Sequence, residues 1–226
     1  GAVTSIGDMM ISLPHDQEEW YHAASSDLGC PRAEDEEKLV REIKACIEEK
    51  DTLGGTFVLS AHGLPPGIGS HTEWDLRLDG RIAGAIMSIP AVKGVGIGCG
   101  FDLARMKGSM AHDEIFPSDQ GGWSRKTNNA GGIEGGMTNG EELLVSVAMK
   151  PIPTLGKPLC SIDITNGKKK EAAFERSDVC AVPAACIVGE AMFCWVLAQA
   201  VMDQFGGDTL EDLKGRWKSY LRRVED

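Results

Sequence analysis

Apolar and polar positions fall into separate blocks along the chain, and each block predicts an element. Residues 1–13 (GAVTSIGDMMISL) read as a short apolar strand, and 14–33 are polar, with Pro14 and Pro31 marking a loop or a short helix. From the acidic run Glu34–Glu37 onward, Leu39, Ile43 and Ile47 recur every four residues while Lys38, Glu42 and Glu49 face away. That spacing predicts an amphipathic surface helix, stopped by Gly54 and Gly55. Gly55–Gly63 is rich in β formers, and LPPGIG at 64–69 is a tight loop, because Pro and Gly admit neither regular structure. Thr72 and Asp75 have capping-box spacing ahead of Trp74, Leu78, Ile82, Ala85, Ile86 and Ile89 on one stripe, which predicts a helix from about 73 to 89. At 92–101 a strand would carry Gly94, Gly96, Gly98 and Gly100 on one face, bare enough for another backbone or a flat ligand to approach.

Residues 117–140 are glycine-rich without hydrophobic periodicity and predict an irregular, mobile loop. Glu141–Lys150 alternates as a strand does and ends at Pro151 and Pro153. Leu159–Ile164 and Lys170–Phe174, joined through Thr165-Asn166-Gly167, predict a β-hairpin with Lys168–Lys170 as its solvated charge run. Pro183–Phe205 is apolar almost all round, but Glu190 and Gln199 interrupt it and no basic flank accompanies it, so a helix buried between protein layers is expected rather than a membrane span. A charged amphipathic helix from Thr209 to about Arg223 completes the chain. Strands and helices without regular βαβ alternation, and a helix that needs cover on every side, give an α+β class with helices between sheets. No long linker or repeat divides the 226 residues, so a single domain, 1–226, is expected.

Composition narrows the picture. Apolar residues at 42% and charged residues at 25% are ordinary for a folded soluble protein. A formal net charge of −11 opposes diffuse attraction to nucleic acid or anionic membranes, while leaving room for a local cationic pocket. Seven cysteines without a C-x-x-C pair fit neither a disulfide framework nor a zinc ribbon, and the Ala, Val and Ile around Cys180, Cys186 and Cys194 favour reduced thiols in a cytoplasmic setting. His15, His22, His62, His71 and His112 form no close pair of metal-ligand type, so no metal is expected. The chain opens on Gly1 rather than Met and on no signal peptide, which points to a missing upstream part.

Two constellations carry candidate chemistry. NNAGGIEGGMTNG (128–140), leading through a strand to MKPIPT (149–154), offers free glycine N–H groups, Lys150 and the Thr154 hydroxyl between rigid prolines; such a set suits a phosphate and a flat ring, or is simply a glycine-rich connection. In ERSDVCAVPAA (175–185), Arg176, Ser177 and Asp178 stand together before the apolar helix. A guanidinium suits bidentate phosphate or carboxylate contact and a carboxylate can relay a proton, although an ordinary cap with a local ion pair has the same residues. The glycines at 94–100 do not complete G-x-G-x-x-G, because Phe101 stands in the last position, and no P-loop or G-x-S-x-G elbow occurs.

RSDVCAVPAACIVGEAM (176–192) resembles the C-terminal signature of the chorismate synthase family almost position for position. GLPPGIGSHTEWDLRLDGRIAGAIMSIPAVKGVGIGCGF (63–101), GSMAHDE (108–114), NNAGGIEGGMTNG (128–140) and MKPIPTL (149–155) extend the resemblance over nearly the whole chain. The family's Gly-Glu-Ser-His and Arg-Gly-Gly-Gly-Arg-Ser-Ser segments occur nowhere in it, so the chain resembles the C-terminal core of such an enzyme.

The resemblance implies a β-α-β sandwich, with helices packed between two mostly antiparallel sheets, assembled as a cytoplasmic homotetramer. It implies a lyase of the shikimate pathway, in aromatic amino-acid biosynthesis, associated with FMN and NADP. The reaction is an anti-1,4-elimination of phosphate from 5-enolpyruvylshikimate 3-phosphate, giving chorismate with reduced FMN as cofactor. The family's flavin contacts fall on Pro90, Ala91, Gly135, Met149, Lys150, Pro151, Ile152, Pro153, Thr154 and Arg176, with Arg176 also toward the substrate. Asp178 matches the aspartate given a proton-relay role near flavin and substrate. Pro90 stands where some relatives have Asn, which removes a side-chain donor and an N–H. Without the two absent segments the chain alone is expected to be inactive; a non-catalytic binding or assembly module that kept the fold is the alternative.

Overall fold

The computed structural model describes residues 1–118, 122–174 and 177–225. The elements are β1 (Ala2–Ile6), β2 (Met9–Met10), α1 (Gln17–Ser25), α2 (Ala33–Glu48), β3 (Gly55–Ala61), α3 (Leu78–Met87), β4 (Val92–Ile97) and a 3-10 helix, Gly100–Arg105. There follow α4 (Gly108–Ala111), β5 (Ile115–Pro117), β6 (Trp123–Arg125), β7 (Ile133–Glu134), β8 (Met137–Thr138), β9 (Leu143–Met149), β10 (Cys160–Ile162), β11 (Lys169–Glu171), α5 (Val182–Phe205) and α6 (Leu210–Glu225). A five-stranded sheet has the order β2-β1-β3-β9-β4, and the remaining strands form the pairs β5-β6, β7-β8 and β10-β11. Helices with antiparallel pairs make the class α+β, as expected. Two compact units divide the chain: Gly1–Val58, Pro90–Gly94 and Val147–Val188 form the first, and Leu59–Ile89, Val95–Ser146 and Gly189–Asp226 the second.

In the first unit, the opening apolar run is a hairpin rather than one strand: β1 pairs antiparallel with β2 (Ile6 with Met9) and on its other edge with β3 (Ile6 with Gly55). The register slips between Val3 and Ser5, and the Ser5 hydroxyl, buried there, accepts the Thr56 N–H at 3.0 Å, which satisfies that donor at the irregularity. Helix α2 buries Leu39 and Cys46, seven residues apart, and leaves Ile47 on its outer face. The hairpin β10-β11 forms where its turn residues place it, with Cys160 opposite Glu171 and Ile162 opposite Lys169.

In the second unit, α3 begins at Leu78, five residues later than its apolar spacing predicts, and buries Leu78, Ile82 and Ile86 completely. The Thr72 hydroxyl is occupied by Ser70 at 2.9 Å and caps nothing; Leu78 N donates to Gly136 O at 2.9 Å, and Trp74 stays outside the helix, exposed. The stretch 117–140 contains short antiparallel pairs, β7-β8 with the end of β5-β6, in place of a wholly irregular loop. Phe205 packs edge-on against Trp217 and Tyr220, whose hydroxyl donates to Pro66 O at 2.6 Å and so fastens α6.

Helix α5 departs from the expectation of cover on every side. Val182, Ala185, Cys186, Phe193, Val196, Ala200 and Phe205 form a buried stripe, while Ile187 (72% exposed), Val188, Trp195 (64%) and Met202 face outward. Its length and hydropathy would suffice to cross a membrane, and 33% of its most apolar window is buried within the protein. Apolar composition says that a helix face avoids water; it does not say that the same chain supplies the cover. Truncating Phe193, which is 2% exposed, therefore costs about 3–5 kcal/mol in urea unfolding, whereas Trp195→Gln changes stability by no more than about 0.5 kcal/mol.

Candidate functional site

Most of the residues singled out in the sequence meet in the first unit around the short segment 51–54. The Thr52 hydroxyl, on a residue only 8% exposed, donates to Ile152 O at 2.6 Å. Leu53 N donates to Val179 O at 2.8 Å and forms an isolated parallel bridge with Cys180. Gly54 has no room for a side chain: a Cβ there would overlap Met149 O and lie 2.9 Å from Lys150 C and Pro151 Cδ. One segment thus holds the strip Met149–Thr154 on one side and the run Ser177–Cys180 on the other. The strip needs this support, because Pro151 and Pro153 donate no N–H and cannot extend a sheet.

Two further contacts complete the frame. Lys150 N donates to Ala91 O at 3.0 Å, so Pro90-Ala91 lies against the start of the strip. Ala91 holds φ +68°, a left-handed conformation that strains a residue with a Cβ, and it does so at the turn between α3 and β4. At the other end, the Thr154 and Ser177 hydroxyls hydrogen-bond at 2.8 Å, and the Ser177 hydroxyl also reaches Thr154 O at 3.3 Å.

A cavity of 370 Å³ opens beside this contact, and its lining includes the polar Thr154, Ser177, Asp178 and Lys50 and the apolar Ile47 and Phe174. Asp51 at its edge binds Lys157 Nζ at 2.5 Å and accepts the Thr52 N–H at 2.9 Å. Lys157 first, then that N–H, holds the Asp51 carboxyl below the usual carboxylate range. Asp51 is consequently a fixed anion committed to shape, whereas Asp178 is exposed. A lining that combines apolar side chains with hydroxyls and a carboxylate suits a flat ring with polar edges, and an exposed carboxylate is a group able to exchange a proton with whatever occupies the space. Among the described residues no group of His, Cys, Asp and Glu is arranged to hold a metal ion.

Gly135 belongs to the second unit. It stands with φ +60° at the turn between β7 and β8, exposed and with open space around it, so backbone conformation is what calls for glycine there. Arg176 lies outside the described residues. The frame thus brings together Pro90, Ala91, Met149, Lys150, Pro151, Ile152, Pro153, Thr154 and Asp178 within one unit. Sequence reasoning passed over Thr52, Leu53, Lys50 and Phe174, and took Gly54 only as a helix stop. The available signal was the doubled glycine at 54–55, since a helix needs only one to end.

Three substitutions probe this frame by urea unfolding. Ala91→Gly relieves the left-handed strain and raises stability by about 0.5–1 kcal/mol. Thr52→Val removes a hydroxyl donor and lowers stability by about 1 kcal/mol. Gly54→Ala lowers it by more than Thr52→Val, because backbone atoms of the strip must move.

Comparison with known proteins assigns the chain to a family. The family model described as Chorismate synthase matches residues 1–202. A chorismate synthase from Desulforamulus reducens is 50% identical over 230 residues, covering 99% of this chain and 59% of the relative. One from Geotalea uraniireducens is 52% identical over 206 residues, covering 88% of this chain and 52% of the relative. A solved structure described as a crystal structure of chorismate synthase superimposes with a TM-score of 0.82 at 41% identity, covering 99% of this chain and 62% of the other. The chain therefore spans 59% of the length of the first of these curated relatives. On the match over residues 1–202, the chain belongs to the chorismate synthase family.

Proposed function

We propose that this chain carries the flavin-facing part of a chorismate synthase active site, and that the cavity beside Thr154, Ser177 and Asp178 is where reduced FMN and the substrate meet. The observation that carries the reading is the joining of the strip Met149–Thr154 to Ser177–Asp178 through segment 51–54, because it brings the strip that family resemblance assigns to flavin beside Asp178, which it assigns to proton relay. The donor set fits such a group in kind: Phe174 and Ile47 supply an apolar wall, and Thr154 and Ser177 supply hydroxyls for a polar ring edge.

The reaction is the anti-1,4-elimination of phosphate from 5-enolpyruvylshikimate 3-phosphate: one C–H proton leaves, a new double bond forms, and the C–O bond to phosphate breaks. Reduced FMN, when bound, supplies electron density near that bond without net redox change. The protein's part is to position and to move protons. Pro151 and Pro153 stiffen the strip, so that Lys150 and Thr154 project from a backbone with few alternatives. The Thr154–Ser177 hydrogen bond keeps the two polar edges of the cavity in fixed relation. Asp178, exposed beside them, accepts and returns a proton at its carboxylate. Arg176 matches the family position that contacts flavin and the anionic substrate. Cytoplasmic location and a homotetramer belong to the same reading.

On this reading the strip and the Ser177–Asp178 run suffice for flavin to bind, while turnover is not expected of these 226 residues alone, in which Gly-Glu-Ser-His and Arg-Gly-Gly-Gly-Arg-Ser-Ser do not occur. An anaerobic titration with reduced FMN and 5-enolpyruvylshikimate 3-phosphate, following flavin spectrum and chorismate absorbance together, tests this. Saturable flavin binding that Thr154→Val weakens by about 2- to 10-fold is expected, as for one lost hydrogen bond. No flavin binding, or binding indifferent to Thr154, contradicts the site. Chorismate formation at the rate of an intact enzyme contradicts the expectation of inactivity.

A further inference from the structure

We infer that Arg125 and Asp113 are positioning residues that preset the glycine segment 127–139 before any ligand arrives; the inference rests on the flavin reading of Gly135 above. The hairpin β7-β8 that carries Gly135 has two residues in each strand, too few to hold its own shape in water. Its inner strand is well fastened: Thr138 N donates to Ile68 O at 2.9 Å, and the Thr138 hydroxyl donates to Pro65 O at 2.6 Å. The outer strand, which leads into Gly135, is held at its base by Asn139 N donating to Gly132 O at 2.9 Å, and beyond that point, at Glu134, by Arg125.

The Arg125 side chain is 8% exposed. Its Nη2 donates to Glu134 Oε2 at 2.7 Å and its Nη1 to Asn139 O at 3.3 Å. Asn139 Nδ2 donates to the same Glu134 oxygen at 2.9 Å. One guanidinium therefore spans the hairpin, from the residue before the Gly135 turn to the residue after β8. Its Nε is buried and has no partner among the described residues. A buried cation with an unmet donor is a poor contributor to stability for its own sake. Its value lies in geometry: a planar fork fixes two partners at once, which a lysine cannot.

Asp113 performs the same service at the start of the segment. Its Oδ1 accepts the Thr127 hydroxyl at 2.6 Å and Asn129 N at 2.8 Å, while Oδ2 accepts Ala130 N at 2.9 Å. Burial alone would raise this carboxyl, but those three bonds and the Arg125 charge outweigh burial and hold it below the usual range. Asparagine cannot replace it, because an amide has one acceptor oxygen and would turn an NH2 toward a backbone donor. The two side chains grip opposite ends of the stretch, and neither belongs to the apolar core that α3 and β9 bury.

Hydrogen exchange of the ligand-free chain and reduced-FMN titration, applied to Arg125→Met, Asp113→Asn and a core control, test the inference. The control, Ile82→Val, lies in the buried stripe of α3 and loses apolar packing without removing any hydrogen bond to the segment. The expected result is exchange about tenfold faster within 126–139 only, for both positioning variants. Reduced-FMN affinity then falls about 5- to 10-fold in those variants and stays within about twofold in the control. Unchanged exchange in 126–139, exchange that rises across the whole chain, or an equal loss of affinity in Ile82→Val overturns it. If the unsubstituted chain itself binds no FMN, the flavin reading falls, and the exchange pattern still decides whether the pair presets the segment.

Discussion

The hydrogen bond from the Thr52 hydroxyl to Ile152 O, made possible by the bare backbone of Gly54 next to it, is the constraint on which the candidate site depends. A proline-bearing strip cannot join a sheet on both edges, so without an outside anchor Met149–Thr154 would be a loop with many conformations. Segment 51–54 supplies that anchor. Since Leu53 N also holds Val179 O, one short stretch sets the distance between the strip and the Ser177–Asp178 run. The chemistry-bearing groups are exposed, but the atoms that position them are largely not.

Charge is divided in the same way. Asp51 is tied to Lys157 and to Thr52 N, leaving Asp178 as an exposed carboxylate on the cavity wall. Because the Asp51 carboxyl is held low in the fold, its contribution is complete above its ordinary pKa and is lost as pH falls through the lowered value. Local strain is accepted where geometry requires it: Ala91 holds a left-handed turn, and its carbonyl receives Lys150 N in exchange.

Much of the fold was legible because the period of apolar residues survives into the structure. Leu78, Ile82 and Ile86 form the buried stripe of α3, and Leu143, Val145 and Val147 alternate inward along β9. Errors came where a tertiary partner overrode a local signal. Thr72 looked like a cap until Ser70 took its hydroxyl, and α5 looked wholly buried because composition cannot tell which chain covers an apolar face. The glycine stretch looked irregular because the carboxylate and guanidinium that order it, Asp113 and Arg125, give no periodic signal. Lys150, Thr154, Ser177 and Asp178 stood out as candidates by residue type and spacing, and family resemblance added Pro90 and Ala91 and the roles; the supporting residues Thr52 and Gly54 were not legible, since their roles are contacts about 100 residues away in sequence.

Hydrogen-exchange footprinting of the chain with and without reduced FMN tests most directly whether the strip and the Ser177–Asp178 run form a single flavin-facing surface. The account predicts that peptides covering 149–154 and 177–180 gain protection together, over the same flavin concentration range. Protection of one without the other, or protection confined to segments away from both, would contradict it.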